Sequence, residues 1–439
     1  MQTILITNAN LVNEGSTTAS DLFIKNGRIE KIAPSLTNQA ADTVIDAKGK
    51  ALLPGMIDCH VHCRDPGLEQ KADLHSETRA AVAGGVTSIM EMPNTKPAAI
   101  TNAILEDKFA LAATRCVANY SFHLGASNNN IDELLAMDPK TVCGVKLFMG
   151  ASTGGLLVDR MEQLENIFGR IEVPISLHCE DTNTIRENEK AAREKYGEDI
   201  PFSEHPNIRS EEACYRSTAL AVELATRYNS RIHVLHLTTA KELELFQAGS
   251  VEGKKITAEA CPHMLWFSSD DYAEKGALIK CNPSIKTPAD RAALRDAVKS
   301  GLIDTIGTDH APHLFEEKQN PYGSAPSGLP LIQSAMATAI ELFPLETVAE
   351  KTAHNPARIF QVEKRGFLRE GYWADLTLVD TETPTTVTKE NTLYKCGWSP
   401  FEGVTFKSSI IATLVNGQIA YADGQVNGAV RGQRLLFDR

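Results

Sequence analysis

The sequence contains no run approaching the ~20 consecutive apolar residues that a membrane-spanning helix needs. Its opening stretch, Met1–Gly15, has no basic cluster ahead of an apolar segment, so no secretory leader is expected. Cysteine-pair motifs are missing too. The nine cysteines are odd in number, run from Cys59 to Cys396 and form no CxxC pair. In a chain of 439 residues that pattern reads as free thiols in a reducing, cytoplasmic setting, not as a disulfide framework. Positive charge is in deficit: 44 Lys and Arg against 56 Asp and Glu leave a net charge of −12, which argues against a nucleic-acid-binding surface. What is present, 42% hydrophobic and 23% charged residues, suits a folded globular protein and excludes wholesale disorder or a fibre.

The two ends of the chain read alike. Thr3–Thr7, Asp21–Ile24 and Arg28–Ile32 are short β-type runs, the last two joined by Asn26-Gly27. Ala374–Val379, Ile411–Val415 and Gln418–Ala420 follow the same pattern around Asn416-Gly417. Asn-Gly between such runs is a hairpin signal. Both ends therefore point to one small composite β-sandwich made from residues 1–53 and 366–439. Residues 54–365 differ. Short apolar strands, among them Met56–Asp58, Ser88–Glu91, Tyr120–Leu124, Val142–Phe148, Ile175–His178, Arg231–Leu237, Ile256–Glu259 and Thr305–Thr308, alternate with helical stretches such as Ser76–Ala83 and Glu211–Tyr228. Eight β–α units favour an α/β fold of the (β/α)8 TIM-like barrel type. The charge-rich Glu187–Glu198 reads as an exposed helix or an excursion from the fold.

A barrel carries its chemistry just beyond the C-terminal ends of its strands. His60 and His62 follow the first strand, two apart and so on one side of an extended segment. His178, His236 and Asp309 end three other strands. Four imidazoles and a carboxylate brought together suit zinc or a similar borderline ion. His233 and His236 are three apart, so strand alternation lets only one face inward, and His236, nearer the strand end, is preferred. By the same alternation Cys59, Cys63 and Cys179 belong to packing. Lys146 lies inside an apolar strand, where a charged amine is costly. It either pairs with a buried carboxylate or, kept neutral, has taken up CO2 as a carbamate able to bridge two metals. His75, His123, His205, His263 and His354 are given no role.

The runs Asp58-Cys59-His60-Val61-His62-Cys63-Arg64-Asp65-Pro66-Gly67, Gly84-Gly85-Val86-Thr87, Met92-Pro93-Asn94-Thr95 and Gly307-Thr308-Asp309-His310-Ala311-Pro312-His313, with Glu316-Glu317-Lys318 after the last, resemble the amidohydrolase superfamily and, within it, the dihydroorotases. The resemblance covers essentially the whole chain. It implies two Zn2+ per chain: one held by His60, His62 and Asp309, the other by His178 and His236, the pair bridged by a carboxylated Lys146 and a hydroxide. Some bacterial dihydroorotases bridge through an aspartate just after this strand; Ala151 stands at about that place here, which leaves the lysine. The resemblance also implies that Arg64, Asn94 and His313 hold a substrate carboxylate, that Asn282 and the backbone at Ser327 and Gly328 hold a pyrimidine ring, and that Asp309 moves the proton. The implied reaction is reversible hydrolysis of dihydroorotate to carbamoyl aspartate, a step of pyrimidine (UMP) biosynthesis. The partner is then a small molecule, with neither nucleic acid nor membrane involved and a homo-oligomer left open. Rival readings are another cyclic amidohydrolase, allantoinase or dihydropyrimidinase (hydantoinase), and a non-catalytic scaffold of the same fold. Glu316–Gly323 is a candidate lid.

Overall fold

Two Asn-Gly turns from opposite ends of the chain meet in the computed structural model, which describes residues 3–150 and 156–439. Asn26 and Gly27 have φ of 53° and 79°, and Asn416 and Gly417 have 51° and 70°. Positive φ at both central residues is the geometry that Asn-Gly hairpins favour. The turns pack against each other so closely that a Cβ on Gly27 would lie 2.7 Å from the Asn416 carbonyl oxygen. Only glycine permits this approach.

The strands behind these turns form one nine-stranded sheet. Its N-terminal members are β1 (Thr3–Asn13), β2 (Ser16–Lys25), β3 (Arg28–Ala33), β4 (Thr43–Asp46) and β5 (Ala51–Pro54). The barrel follows with β6 (Met56–Val61), β7 (Val86–Glu91), β8 (Asn119–Gly125), β9 (Gly144–Phe148), β10 (Ile175–His178), β11 (Ile232–Val234), β12 (Ile256–Ala260) and β13 (Thr305–Ile306). The chain then returns to the first sheet with β14 (Leu376–Asp380), makes a small hairpin of β15 (Thr385–Thr386) and β16 (Thr405–Phe406), and ends with β17 (Ser409–Val415), β18 (Gln418–Ala422) and β19 (Gln425–Val426). The first sheet has the order β19-β18-β17-β14-β5-β1-β2-β3, with β4 beside β1. Antiparallel pairing of β14 with β5 joins the two ends of the chain. Ile4, Ile6, Leu22 and Ile24 from one end share an apolar cluster with Leu376, Leu378 and Leu414 from the other.

The barrel strands lie in chain order, β6 to β13. Every residue of β6, β7, β8, β9 and β10 is buried, as parallel strands covered on both faces require. The ring is drawn together between β6 and β13 by a bridge from Val61 to His310 and by the His62 N–H donating to the His310 carbonyl at 2.7 Å. The fold is thus the expected barrel with a β-sandwich-type domain. The periodic Glu211–Tyr228 stretch is a helix over those residues, capped by the Ser210 side chain and stopped by Asn229 in the left-handed region. Glu187–Glu198 falls largely within the helix Thr182–Tyr196. Two strands are shorter than their apolar runs suggest: β11 stops at Val234 and β13 at Ile306. No helix among the described residues is long and apolar enough to cross a membrane.

A buried polar knot fastens the sheet to the barrel. Asp375, just before β14, accepts from the Arg365 guanidinium, from the Asn416 N–H at 2.7 Å and from the Asn119 side chain at 3.1 Å. Arg365 also donates to Asn416 Oδ1 at 2.8 Å. Removing one member of a buried pair strands the other charge. Arg365→Met is therefore expected to lower the unfolding free energy by about 3–5 kcal/mol in equilibrium denaturation, and Arg365→Met with Asp375→Leu to recover much of that loss.

Candidate active site

The strand ends open onto a cavity of about 270 Å³. His60, His62, Arg64, Asn94, Lys146, His178, His236, Asn282, Asp309, His313, Ser327 and Gly328 all line it, together with Phe148, Ala311 and Pro326, which the sequence did not single out. Asp309, His236 and Arg64 leave their strands with φ of 51°, 42° and 66°. This left-handed backbone is uncommon for residues with side chains and costs on the order of 1–3 kcal/mol each. It ends the strand ladder and swings these side chains into the mouth.

On one wall, Asp309 Oδ1 lies 3.2 Å from His60 Nε2 and 3.1 Å from His62 Nε2. The far nitrogens of both rings are already spoken for. His60 Nδ1–H donates to Glu259 at 2.7 Å, and His62 Nδ1–H to Asn94 Oδ1 at 2.8 Å. Two nitrogen lone pairs and a carboxylate oxygen therefore converge with no proton of their own between them. That is a cation site by its chemistry, and the donor set of two imidazoles and one carboxylate fits zinc. Without a metal the corner attracts a proton: burial lowers the His60 pKa, but Asp309 and Glu259 outweigh it and lift it to about 9. Burial likewise disfavours ionised Asp309, yet His60 and His62 hold it well below the usual carboxylate range. Burial brings His62 down to about 4.

Opposite, His178 Nδ1 and His236 Nε2 face each other at 2.9 Å. His178 Nε2–H donates to Glu180 at 2.9 Å, and Glu180 is held in turn by Arg209. Desolvation lowers the pKa of both imidazoles, leaving neutral ligands. The ring centroids of His60 and His236 are 5.3 Å apart, so the two clusters adjoin. Lys146 is buried between the strands with its Nζ 4.6 Å from the centre of the Phe148 ring. No carboxylate among the described residues lies within ion-pairing distance of it. Desolvation brings its pKa down to about 8, against the opposing pull of Asp309 and Glu259.

The third wall offers donors. Arg64 Nε is anchored on the Pro312 carbonyl at 3.0 Å, with Nη2 3.0 Å from His313 Nε2. Asn94, having given its oxygen to His62, has its amide nitrogen left for a ligand. Asn282 Oδ1 is buried with no hydrogen-bond partner among the described residues. Gly328 is engaged at both backbone groups: its N–H donates to the Lys280 carbonyl at 2.9 Å, and its carbonyl accepts from Lys318 Nζ at 3.0 Å.

Two expectations need revision. Strand alternation does not exclude His233. It is fully buried in the barrel, bonded to Thr257 and Thr305, because β11 ends between the two histidines and the backbone turns at His236. Cys59 packs in the core as expected, with its Sγ 3.3 Å from the Glu259 carboxylate. The proposed lid is tied down: Lys318 Nζ donates to the carbonyls of Lys280, Pro326 and Gly328. Ala151 lies outside the described residues. His75, His123, His205, His263 and His354 do not line the cavity. Sequence reasoning passed over Glu259 and Glu180, the carboxylates that orient His60 and His178. Their signal was present: Glu259 lies at the C-terminal end of a barrel strand, next to its last residue, and Glu180 follows His178 by two.

A model of the amidohydrolase family matches residues 51–420. The chain belongs to the amidohydrolase family. A dihydroorotase of Pyrococcus furiosus is 32% identical, over 94% of this chain and 91% of its own length. An allantoinase of Bacillus velezensis is 31% identical, over 96% and 94%. Several further relatives of comparable similarity also carry the name dihydroorotase. Among solved structures, the L-hydantoinase (dihydropyrimidinase) of Arthrobacter aurescens superposes with a TM-score of 0.94 at 26% identity, covering 99% of this chain and 100% of that one.

The Glu259–His60 bond fixes which ring nitrogen points at Asp309. Glu259→Gln, which keeps shape and removes charge, is expected to weaken metal retention about 10–100-fold, measured by competition with a chelator. Unchanged retention would show that Glu259 does not tune the site.

Proposed function

We propose that this amidohydrolase is a dihydroorotase, hydrolysing the cyclic amide C–N bond of (S)-dihydroorotate to N-carbamoyl-L-aspartate and catalysing the reverse closure. The observation that carries the reading is the donor wall of Arg64, Asn94 and His313 beside the His–Asp cluster. A ring bearing a carboxylate needs such a wall, whereas hydantoin or allantoin leaves a buried guanidinium without a counter-charge. The relatives named dihydroorotase support the same choice.

His60, His62 and Asp309 would hold one divalent ion, and His178 and His236 a second. The second pair supplies only two donors, and a carbamate on Lys146 would complete it and join the two. The lowered amine pKa and the missing ion-pair partner favour that modification. Bound together, two zinc ions would supply Lewis acidity towards the amide carbonyl and a solvent nucleophile ionised near neutral pH. The chain's own residues do the rest. Arg64 forks onto the substrate carboxylate, and the Asn94 amide and the His313 ring each add a donor. The unpartnered Asn282 oxygen can accept from a ring N–H. With the Gly328 backbone engaged by Lys280 and Lys318 and the Ser327 carbonyl beside His313, ring recognition by that segment falls to the Ser327 N–H. Asp309 Oδ1 is turned to the histidines, which leaves Oδ2 to take the proton of the attacking water and deliver it to the departing ring nitrogen.

Assayed side by side, dihydroorotate is expected to be turned over at least about a hundredfold more efficiently than hydantoin, dihydrouracil or allantoin, the discrimination open to a site built around a buried charged donor. A preference for any of the neutral rings would overturn the reading. Arg64→Ala should abolish that preference by raising KM for dihydroorotate. Lys146→Ala should lose zinc and activity together, with partial rescue by short carboxylic acids; a variant with full zinc content would refute the bridging role.

A further inference from the structure

Lys71 lies behind the cavity and touches one of its walls. Its Nζ is 3.0 Å from His313 Nδ1 and 2.8 Å from Glu317 Oε1, and its side chain is 13% exposed. An ammonium can only donate, and a carbonyl oxygen can only accept. His313 meets one of each: Lys71 at Nδ1, and the Ser327 carbonyl 3.1 Å from Nε2. With the ring proton on Nε2 both contacts are hydrogen bonds; with it on Nδ1 neither is. Arg64 Nη2, 3.0 Å from Nε2, favours the second arrangement, but that is one contact against two, and it would aim an N–H at an ammonium. Burial and the neighbouring Arg64, Lys71 and Lys318 hold the ring neutral, so one tautomer has to be chosen.

We propose that Lys71 is a positioning residue that fixes His313 as the Nε2–H tautomer, so that the ring's one proton, resting on the Ser327 carbonyl in the free site, can turn to an anionic group bound beside Arg64. The inference rests on the reading of that wall as a carboxylate site. The alternative tautomer has a ready stabiliser. Glu317 Oε2 is 3.7 Å from His313 Nδ1 and is steadied by the Leu314 N–H at 3.0 Å. Without Lys71 this carboxylate draws the proton to Nδ1, and a lone pair then faces the bound anion. The same ammonium joins the loop after β6 to the loop after β13 through Glu317, so the anion wall is braced from both sides.

Two readouts test this. In the zinc-loaded enzyme labelled with 15N-histidine, long-range 15N–1H NMR, with the His313 signal assigned by its loss in His313→Asn, should show Nε2–H in the native chain and Nδ1–H in Lys71→Met. In steady-state kinetics Lys71→Met should raise KM for dihydroorotate about tenfold, the loss of one charge-assisted hydrogen bond, with kcat within about twofold. Lys71→Arg should restore both the tautomer and KM. Lys71→Gln, which keeps a donor without the charge, should retain the tautomer and most of the affinity. Nδ1–H in the native chain, an unmoved tautomer in Lys71→Met, or a fall in kcat at constant KM would overturn the proposal. Should the native enzyme not turn over dihydroorotate, the functional reading fails, while the NMR comparison still decides what Lys71 does to His313.

Discussion

Lone pairs that converge without a proton between them are a cost that a folded protein bears only when something else neutralises it. Around Asp309 Oδ1, two imidazole nitrogens approach to 3.1–3.2 Å, and both rings have their protons committed on the far side. Charge repulsion and desolvation both act against this corner. A cation removes both penalties at once, which is why the arrangement makes sense as a ligand set and not as a hydrogen-bond network. The upward pull on His60 expresses the same demand in the currency of protons.

The rest of the mouth is organised to keep that corner from relaxing. Glu259 and Asn94 each hold an imidazole from behind, and Glu180, backed by Arg209, does so for His178. His60 and His62 are thus oriented by residues from other parts of the barrel, Glu259 on β12 and Asn94 after β7, whereas His178 is oriented by Glu180 two residues further along its own segment. The left-handed exits at Arg64, His236 and Asp309 add backbone strain that the closed ring of strands must outweigh. A helix bundle or an open sheet edge has no comparable ring of neighbours to hold so many side chains at once.

The sequence shows this plan wherever periodicity or turn chemistry carries the signal. Asn26-Gly27 and Asn416-Gly417 announced the two hairpins, and the helix Glu211–Tyr228 was legible to the residue. The residues chosen from the strand ends do converge on one cavity. What alternation cannot show is where a strand stops. Period-two alternation puts His233 and His236 on opposite sides only if the strand runs on past Val234, where the ladder has already ended. The carboxylates behind the histidines differ in how far sequence reaches them. Glu259 is 199 residues from His60, so only the fold shows which ring it faces, whereas Glu180 lies two residues from His178 and was within reach of the same alternation argument.

The cavity separates two tasks that a single set of residues could not perform together. Metal ligands must present lone pairs, whereas a carboxylate is recognised by donors. Asn94 sits at the boundary: its oxygen faces His62, and its amide nitrogen is left for the ligand. Fixing one end of that amide fixes the other, so the ordering of the metal wall dictates the polarity of the anion wall. His313 has no such histidine beside it, and in the proposed arrangement its polarity is set by Lys71 from behind the cavity together with the Ser327 carbonyl. An enzyme of this family acting on an uncharged ring could keep the first wall unchanged and would have no use for the second. On the proposed function, the donors of Arg64, Asn94 and His313, more than the histidine–aspartate cluster, are therefore where the substrate choice of this chain is written.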